Sequence, residues 1–310
     1  MLHAVIGRML GFAIGTLAPK WLVWAFAKHF IAGPTKQEAF ERVKLLNKRG
    51  FFASVDYSGE EVLDSSEILK AKLEYLALIE GIKERKLWAD VSLKLSHFGL
   101  FKNHLPLREE YPIYLLGCEA VEAIARKAKE SGPTSVGLTV WIDAERLDWR
   151  RGAWLYAMQT LKRYDNIGIC IQAYAPDAVE FLEEQILRGW RGSVRVCKGA
   201  YRELKHEVLI GKALEENFIE LCELVLKRDL WLQIATHDEK LIRRIGGYGP
   251  REHGMLLGVN PELAMQLATE GKNVKIYIPY GEDPKGYVAR RLAERPEYIL
   301  LPFRRHNRSR

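Results

Sequence analysis

Short apolar runs rich in β-branched residues recur eight times along the chain. They are Phe52–Asp56, Ala89–Lys94, Val136–Asp143, Ile167–Tyr174, Ser193–Lys198, Leu232–Thr236, His253–Gly258 and Val274–Tyr280. Between them the apolar period lengthens from two toward four. Cys118, Val121, Ala125 and Ala128 share one helical face, as do Leu214, Phe218, Leu221 and Val225. Strand–helix alternation of this kind predicts a parallel sheet with helical crossovers, which either a closed barrel or a doubly wound sheet supplies. The count of eight, and the lack of a G-x-G-x-x-G fingerprint after the first run, favour closure. The expected fold class is therefore α/β, a closed (β/α)8 TIM-type barrel preceded by N-terminal helices.

Helix starts are marked by Asp238, by Asn260-Pro261 and by Asp283-Pro284, and Pro296 stops the helix Lys285–Arg295. The longest irregular connection spans 97–115, with Pro106 and Pro112. No low-complexity linker calls for a second domain. Residues 1–50 read as a helical preface, 51–303 as the barrel and 304–310 as a basic tail.

Nearly every run ends in a side chain able to hold a ligand: Asp56, Lys94, Asp143, Gln172, Arg195, Lys198, Thr236, His237 and Tyr277. In a closed barrel those strand ends meet on one rim, so the pattern locates the chemistry as well as the fold.

Composition narrows the class only a little. A net charge of +7 over 310 residues favours an anionic substrate or membrane surface and gives little reason to invoke nucleic acid. Four cysteines with no CxxC pair signal neither a zinc site nor a disulfide framework, so the expectation is no metal and a reducing, cytoplasmic setting. Ahead of Glu38 there is no acidic residue, while Arg8, Lys20, Lys28 and Lys36 interrupt an apolar stretch split by Pro19-Lys20. A spanning helix needs about 20 apolar residues without such a break. Two short amphipathic helices fit better, packed on the barrel or lying at a lipid interface. No small-residue cleavage pattern follows them.

The densest chemistry is Lys275–Gly281 followed by Tyr287–Glu294. Tyr287, Arg290, Arg291 and Glu294 are spaced to share one side of a helix. Two adjacent guanidinium groups beside tyrosines suit a carboxylate, each charge-assisted bond being worth about 1.5–3 kcal/mol. A solvated basic helix end is the plainer alternative.

Several blocks together resemble the signature of the proline dehydrogenase family. They are Ser92-Leu93-Lys94-Leu95-Ser96, Val194-Arg195-Val196-Cys197-Lys198-Gly199-Ala200-Tyr201, Ala235-Thr236-His237, Tyr277-Ile278-Pro279-Tyr280-Gly281 and Tyr287-Val288-Ala289-Arg290-Arg291-Leu292-Ala293-Glu294. Phe30-Ile31-Ala32-Gly33 and Leu46-Asn47-Lys48-Arg49-Gly50 extend the likeness upstream, in the right order. The resemblance implies a monofunctional flavoenzyme, a distorted (β/α)8 TIM-type barrel that holds FAD at the strand ends and oxidises L-proline to Δ1-pyrroline-5-carboxylate. It further implies hydride transfer to flavin N5, a membrane quinone as acceptor, and pyrroline-5-carboxylate dehydrogenase as pathway partner. Peripheral contact of the N-terminus with the inner face of a membrane would fit that acceptor.

By the same resemblance, Arg290 and Arg291 would hold the proline carboxylate with Lys94, and Asp143 would orient Lys94 through an ion pair. Tyr277 and Tyr287 would wall the ring, with Leu257 a further apolar contact. On the cofactor side Gln172 would reach the flavin ring and Arg195 would sit near N5. Lys198, Thr236 and His237 would take the rest of the dinucleotide, with Val196, Gly199, Ala200 and Tyr201 shaping the wall and Glu294 on the same face. Two departures stand out. Glu252-His253-Gly254-Met255-Leu256-Leu257-Gly258 carries glycine where the family usually has glutamine, and Trp141-Ile142-Asp143-Ala144-Glu145 is looser than the usual Asp-Met-Glu. On the residues alone two rivals stay open: a flavin-free lyase using Lys94 or Lys198 as a Schiff-base amine, and a non-catalytic barrel that binds a partner or membrane.

Overall fold

The computed structural model describes residues 18–100, 111–132, 138–201, 203–204, 206–246, 249 and 251–294. Residues 1–17, the middle of the 97–115 connection, the start of the third apolar run, Pro296 and the basic tail lie outside the described residues, as do the side chains of Ala293 and Glu294.

Eight strands close into one all-parallel barrel in sequence order: β1 (Phe52–Tyr57), β2 (Ala89–Leu93), β3 (Val140–Ile142), β4 (Ile167–Gln172), β5 (Ser193–Cys197), β6 (Leu232–Ala235), β7 (Glu252–Leu256) and β8 (Val274–Tyr280). The last pairs with the first through six residue pairs, Phe52 opposite Lys275 to Tyr57 opposite Tyr280. Closure leaves no edge strand, as the apolar runs predict.

Helices cover the outside where the four-residue periodicity places them. After α1 (Lys20–Ala27) and α2 (Lys36–Asn47), α3 (Ser65–Glu84) and α4 (Tyr111–Ser131) pack side by side. Val121, Ala125 and Ala128 of α4 are fully buried. Next come α5 (Arg150–Tyr156), α6 (Ala178–Leu187) and α7 (Gly211–Lys227), the last burying Phe218, Leu221 and Val225. The circuit ends with α8 (Glu239–Gly246), α9 (Pro261–Thr269) and α10 (Lys285–Glu294). The sequence caps act as expected. Asp238 accepts from the Leu241 amide at 3.2 Å, Asn260 from Leu263 at 3.3 Å and Asp283 from Lys285 at 3.1 Å.

The N-terminal segment is part of the packed body. Val23, Phe26, Ala27, Phe30 and Ile31 form a second apolar cluster with Val259, Val288 and Leu292. The chain then hydrogen-bonds to the end of β8, Ala32 donating to the Pro279 carbonyl at 2.9 Å and Gly33 accepting from Gly281 at 3.0 Å. Gly258, at φ +73°, lets the loop after β7 approach this segment, since a Cβ there would lie 2.0 Å from the His29 carbonyl oxygen. No helix among the described residues is long and apolar enough to cross a membrane.

Candidate active site

A cavity of about 760 Å3 opens at the C-terminal rim of the barrel, where the polar strand tails converge. Lys94, Asp143, Arg195, Lys198, Gly199, Ala200, Tyr201, Thr236, His237, Tyr277, Tyr287, Arg290 and Arg291 all line it. Five strands or strand tails, β2, β3, β5, β6 and β8, together with α10, thus deliver their chemistry to one space.

Lys94 follows β2 and is buried, its ammonium 2.9 Å from an Asp56 carboxylate oxygen. Burial alone lowers its pKa, but the charges of Asp56 and Asp143 outweigh that and hold it above the ordinary lysine value. The expected ion pair between Lys94 and Asp143 is not formed. Asp143 is engaged by Arg195, whose Nη1 donates to it at 2.7 Å across the barrel mouth. Ser92 Oγ donates to the same oxygen at 2.6 Å, and Tyr277 donates to the other at 2.7 Å. Three donors make Asp143 the hub of the rim. Burial, and then the Asp143 charge, push the Tyr277 pKa well up, so this phenol keeps its proton.

Helix α10 sets the two arginines over the opening. Arg290 makes a two-pronged pair with Glu60, at 2.8 and 3.2 Å, and lies 5.7 Å from the Tyr201 ring centroid. Burial opposes its charge, but Glu60 and then Tyr201 hold its pKa above the ordinary value. Arg291 is buried, its guanidinium 5.4 Å from the centre of the Tyr287 ring. Lys94, Arg195, Arg290 and Arg291 bring four cationic groups to the mouth, beside the acids Asp56, Asp143 and Glu60.

The rest of the lining comes largely from β5, β6 and the loops after them. Gly199 takes φ +111°, and a Cβ there would strike the Tyr174 ring, so the chain turns against the cavity as only glycine allows. Lys198 pairs with Asp238 at 2.7 Å. Thr236 accepts from the Asp238 amide at 3.2 Å, and His237 Nε2 accepts from the Leu256 amide at 3.0 Å, which fixes that nitrogen as unprotonated.

Three expected residues do not line the cavity. Gln172 is buried beside it, with its amide nitrogen donating to the Glu145 carbonyl at 2.7 Å and to Tyr174 at 3.2 Å. Val196 is fully buried in the core behind the wall, because its neighbours Arg195 and Cys197 take the inward face. Leu257 joins the core as well, and Leu256 lines the cavity in its place. Glu294 has its side chain outside the described residues.

Sequence reasoning missed Glu60, which sits in an irregular loop with no periodicity to mark it. Asp56 was visible as a strand tail, but its partner depends on the alignment that sets Asp56 opposite Ser92, two residues before Lys94. Glu145 was also passed over. Burial lifts its pKa to about 7 against the hydrogen bonds from the Ser96 amide and hydroxyl. Among the described residues no group of three or more His, Cys, Asp or Glu side chains could hold a metal.

Comparison with known proteins decides the family. The proline dehydrogenase family model matches residues 39–296. The chain belongs to the proline dehydrogenase family. It is an oxidoreductase of that family. It is 32% identical over 280 residues to Proline dehydrogenase 1 of Bacillus subtilis subsp. natto, covering 87% of both chains. It is 29% identical to Proline dehydrogenase of Deinococcus radiodurans over 88% of this chain and 87% of that one. In fold it resembles proline utilization A from Bdellovibrio bacteriovorus, with a TM-score of 0.75 at 22% identity. That likeness covers 87% of this chain and 32% of the other, so the chain spans about a third of the larger protein.

Proposed function

We propose that the chain oxidises L-proline to Δ1-pyrroline-5-carboxylate with FAD as its cofactor, electrons passing on to a membrane quinone. One observation carries this reading. The cationic groups of Arg290, Arg291 and Lys94 share a single cavity with Arg195, Lys198–Tyr201, Thr236 and His237. Groups suited to a carboxylate and groups suited to a dinucleotide therefore adjoin.

The residues fit a flavin nucleotide. The cavity volume lies in the upper part of the range of about 300–1,000 Å3 that serves drug-sized and cofactor ligands. Gly199 brings backbone to the lining at φ +111°, and Lys198 offers a cation for a phosphate. On this reading Arg195 lies at the flavin ring, and Lys198, Gly199, Ala200, Tyr201, Thr236 and His237 hold the remainder. Bound there, the flavin supplies a two-electron acceptor for the hydride that leaves the ring carbon beside the nitrogen.

The chain's own task is positioning. Arg290 and Arg291 hold the carboxylate by charge-assisted bonds, with Lys94 kept cationic by Asp56. Tyr277 and Tyr287 bound the pyrrolidine ring. Tyr277 keeps its proton and spends it on Asp143, which in turn directs Arg195. A cationic Lys94 also weighs against the lyase alternative, since a Schiff-base lysine must present a free amine. The released imine would add water and open to an amino aldehyde, the species an aldehyde-oxidising dehydrogenase, pyrroline-5-carboxylate dehydrogenase, would take. Contact with the quinone-bearing membrane is assigned to the N-terminal segment, where Trp21 is 72% exposed on α1.

The absorption spectrum of the purified protein tests this reading. Flavin bands that bleach on addition of L-proline are expected. A colourless protein that FAD does not reconstitute would remove it.

A further inference from the structure

Beneath Arg195 the barrel interior departs from the layers of branched apolar side chains usual in this fold. Its polar groups instead form a closed circuit. Arg195 Nε donates to Gln233 Oε1. Gln233 Nε2 donates to Glu252 at 2.8 Å, and Lys275 lies 3.0 Å from the same Glu252 oxygen. Lys275 also reaches Asp90 at 2.5 Å, and Trp141 Nε1 donates to that Asp90 oxygen at 2.9 Å. The Trp141 ring then lies 4.4 Å under the Arg195 guanidinium and closes the ring. Every member is buried.

Two glycines make room for it. A Cβ on Gly168 would lie 2.4 Å from the Trp141 ring, and one on Gly254 would lie 3.1 Å from Gln233 Oε1. The space left at Gly254 adjoins the Gln233 amide.

The circuit has a sense of direction. Glu252, a carboxylate, can only accept, so it faces the Gln233 amide nitrogen. That fixes Oε1 toward Arg195, since the reversed amide would set NH2 against a guanidinium and an oxygen against a carboxylate. Lys275 neutralises part of the Glu252 and Asp90 charge. Burying such ions costs several kcal/mol each, and apolar replacements of like volume are often neutral or stabilising. Stability alone therefore gives no reason for the circuit. Orientation of Arg195 does: Asp143 fixes Nη1, Gln233 fixes Nε and Trp141 fixes the plane.

We propose that Gln233, oriented by Glu252 and Lys275, is a positioning residue that aims the Arg195 guanidinium at the redox cofactor. The inference rests on the flavin reading above and deepens it. The test uses the holoenzyme variants Q233L, E252Q, K275M and K275R. In Q233L the kcat with a dye acceptor should fall at least tenfold while the proline KM stays within about twofold. The flavin midpoint potential should become more negative by about 30 mV, the equivalent of a tenfold change in a two-electron equilibrium. E252Q and K275M should shift it the same way, and K275R should restore it. A potential unchanged in both Q233L and E252Q overturns the proposal, even if both melt earlier. If the wild type holds no flavin, the flavin reading fails, and a double-mutant cycle of Q233L with R195M on thermal unfolding decides the remainder. Additive effects would then refute the coupling to Arg195.

Discussion

Replacing Asp56 by asparagine isolates the interaction that keeps Lys94 charged. Asp56 is 1% exposed and Lys94 is 8% exposed, and their charged atoms stand 2.9 Å apart. Removing one partner of a buried pair costs about 3–5 kcal/mol, because the survivor is left as an uncompensated charge. Asp143 also stabilises the Lys94 charge, which puts the expected cost at the lower end, about 3 kcal/mol. An unfolding entropy of about 2.1 cal/mol/K per residue over 310 residues then converts this into a fall in Tm of about 5 °C. A displaced Lys94 also loses its bond to the substrate carboxylate, so the proline KM should rise about tenfold, the worth of one charge-assisted hydrogen bond. Calorimetry and steady-state kinetics with a dye acceptor read both effects. D143N is the control: its Tyr277 and Arg195 partners predict a loss chiefly in kcat. If D56N melts within 1 °C of the wild type, or if D143N alone raises KM, then Asp56 is not the partner that matters.

R291M should raise the proline KM steeply while the flavin spectrum is unchanged, and unaltered kinetics would remove Arg291 from the carboxylate clamp. E145Q tests the buried carboxyl whose pKa stands near 7 against an ordinary 4.5. A carboxyl pKa raised by folding stabilises below the unfolded value and loses that contribution as pH climbs through the folded one. E145Q should therefore gain on the wild type between pH 4.5 and 7, by at most about 3 kcal/mol, and hold a constant lead above that window. A difference in Tm that does not vary with pH would show that Glu145 ionises normally. F30A should cost about 3–5 kcal/mol, since Phe30 is fully buried, and should raise KM more than it lowers kcat. Wild-type stability in F30A would show that the N-terminal segment does not belong to the packed body.

The barrel was legible because its signal is local and repeated: eight short apolar runs, each bounded by turn or cap residues. The rim was legible for a related reason, since in a parallel barrel a polar residue at the end of a run has one place to go. Parity along the strands holds more than was read from it. Once Arg195 and Cys197 face inward, Val196 must face the helices, and an inward Gly254 and Leu256 send Leu257 outward in the same way. Pairing across the rim was not legible. Lys94 chooses Asp56 over Asp143 because Arg195, from a strand three places away, reaches Asp143 first. Glu60 was hidden more deeply, because its meeting with Arg290 joins positions 230 residues apart without a shared element.

The walls of the cavity differ in what holds them still. Lys94, Asp143, Arg195 and Tyr277 extend from strands or strand ends locked in a closed ladder, and the circuit through Gln233, Glu252 and Lys275 holds Arg195. Arg290 and Arg291 stand on α10, which no ladder restrains. Its buried side, Val288 and Leu292, is held by Val23, Phe26 and Phe30, while the chain just beyond them is hydrogen-bonded to the end of β8 near Tyr277. The N-terminal segment therefore braces the helix that carries the substrate clamp against the strand that carries the ring wall. Loosening that brace moves the guanidinium groups without disturbing Arg195, so damage there reaches substrate binding before the redox step. Damage to the circuit under Arg195 runs in the opposite order. The ratio of KM to kcat effects across the two sets of variants thus reads which wall each residue serves.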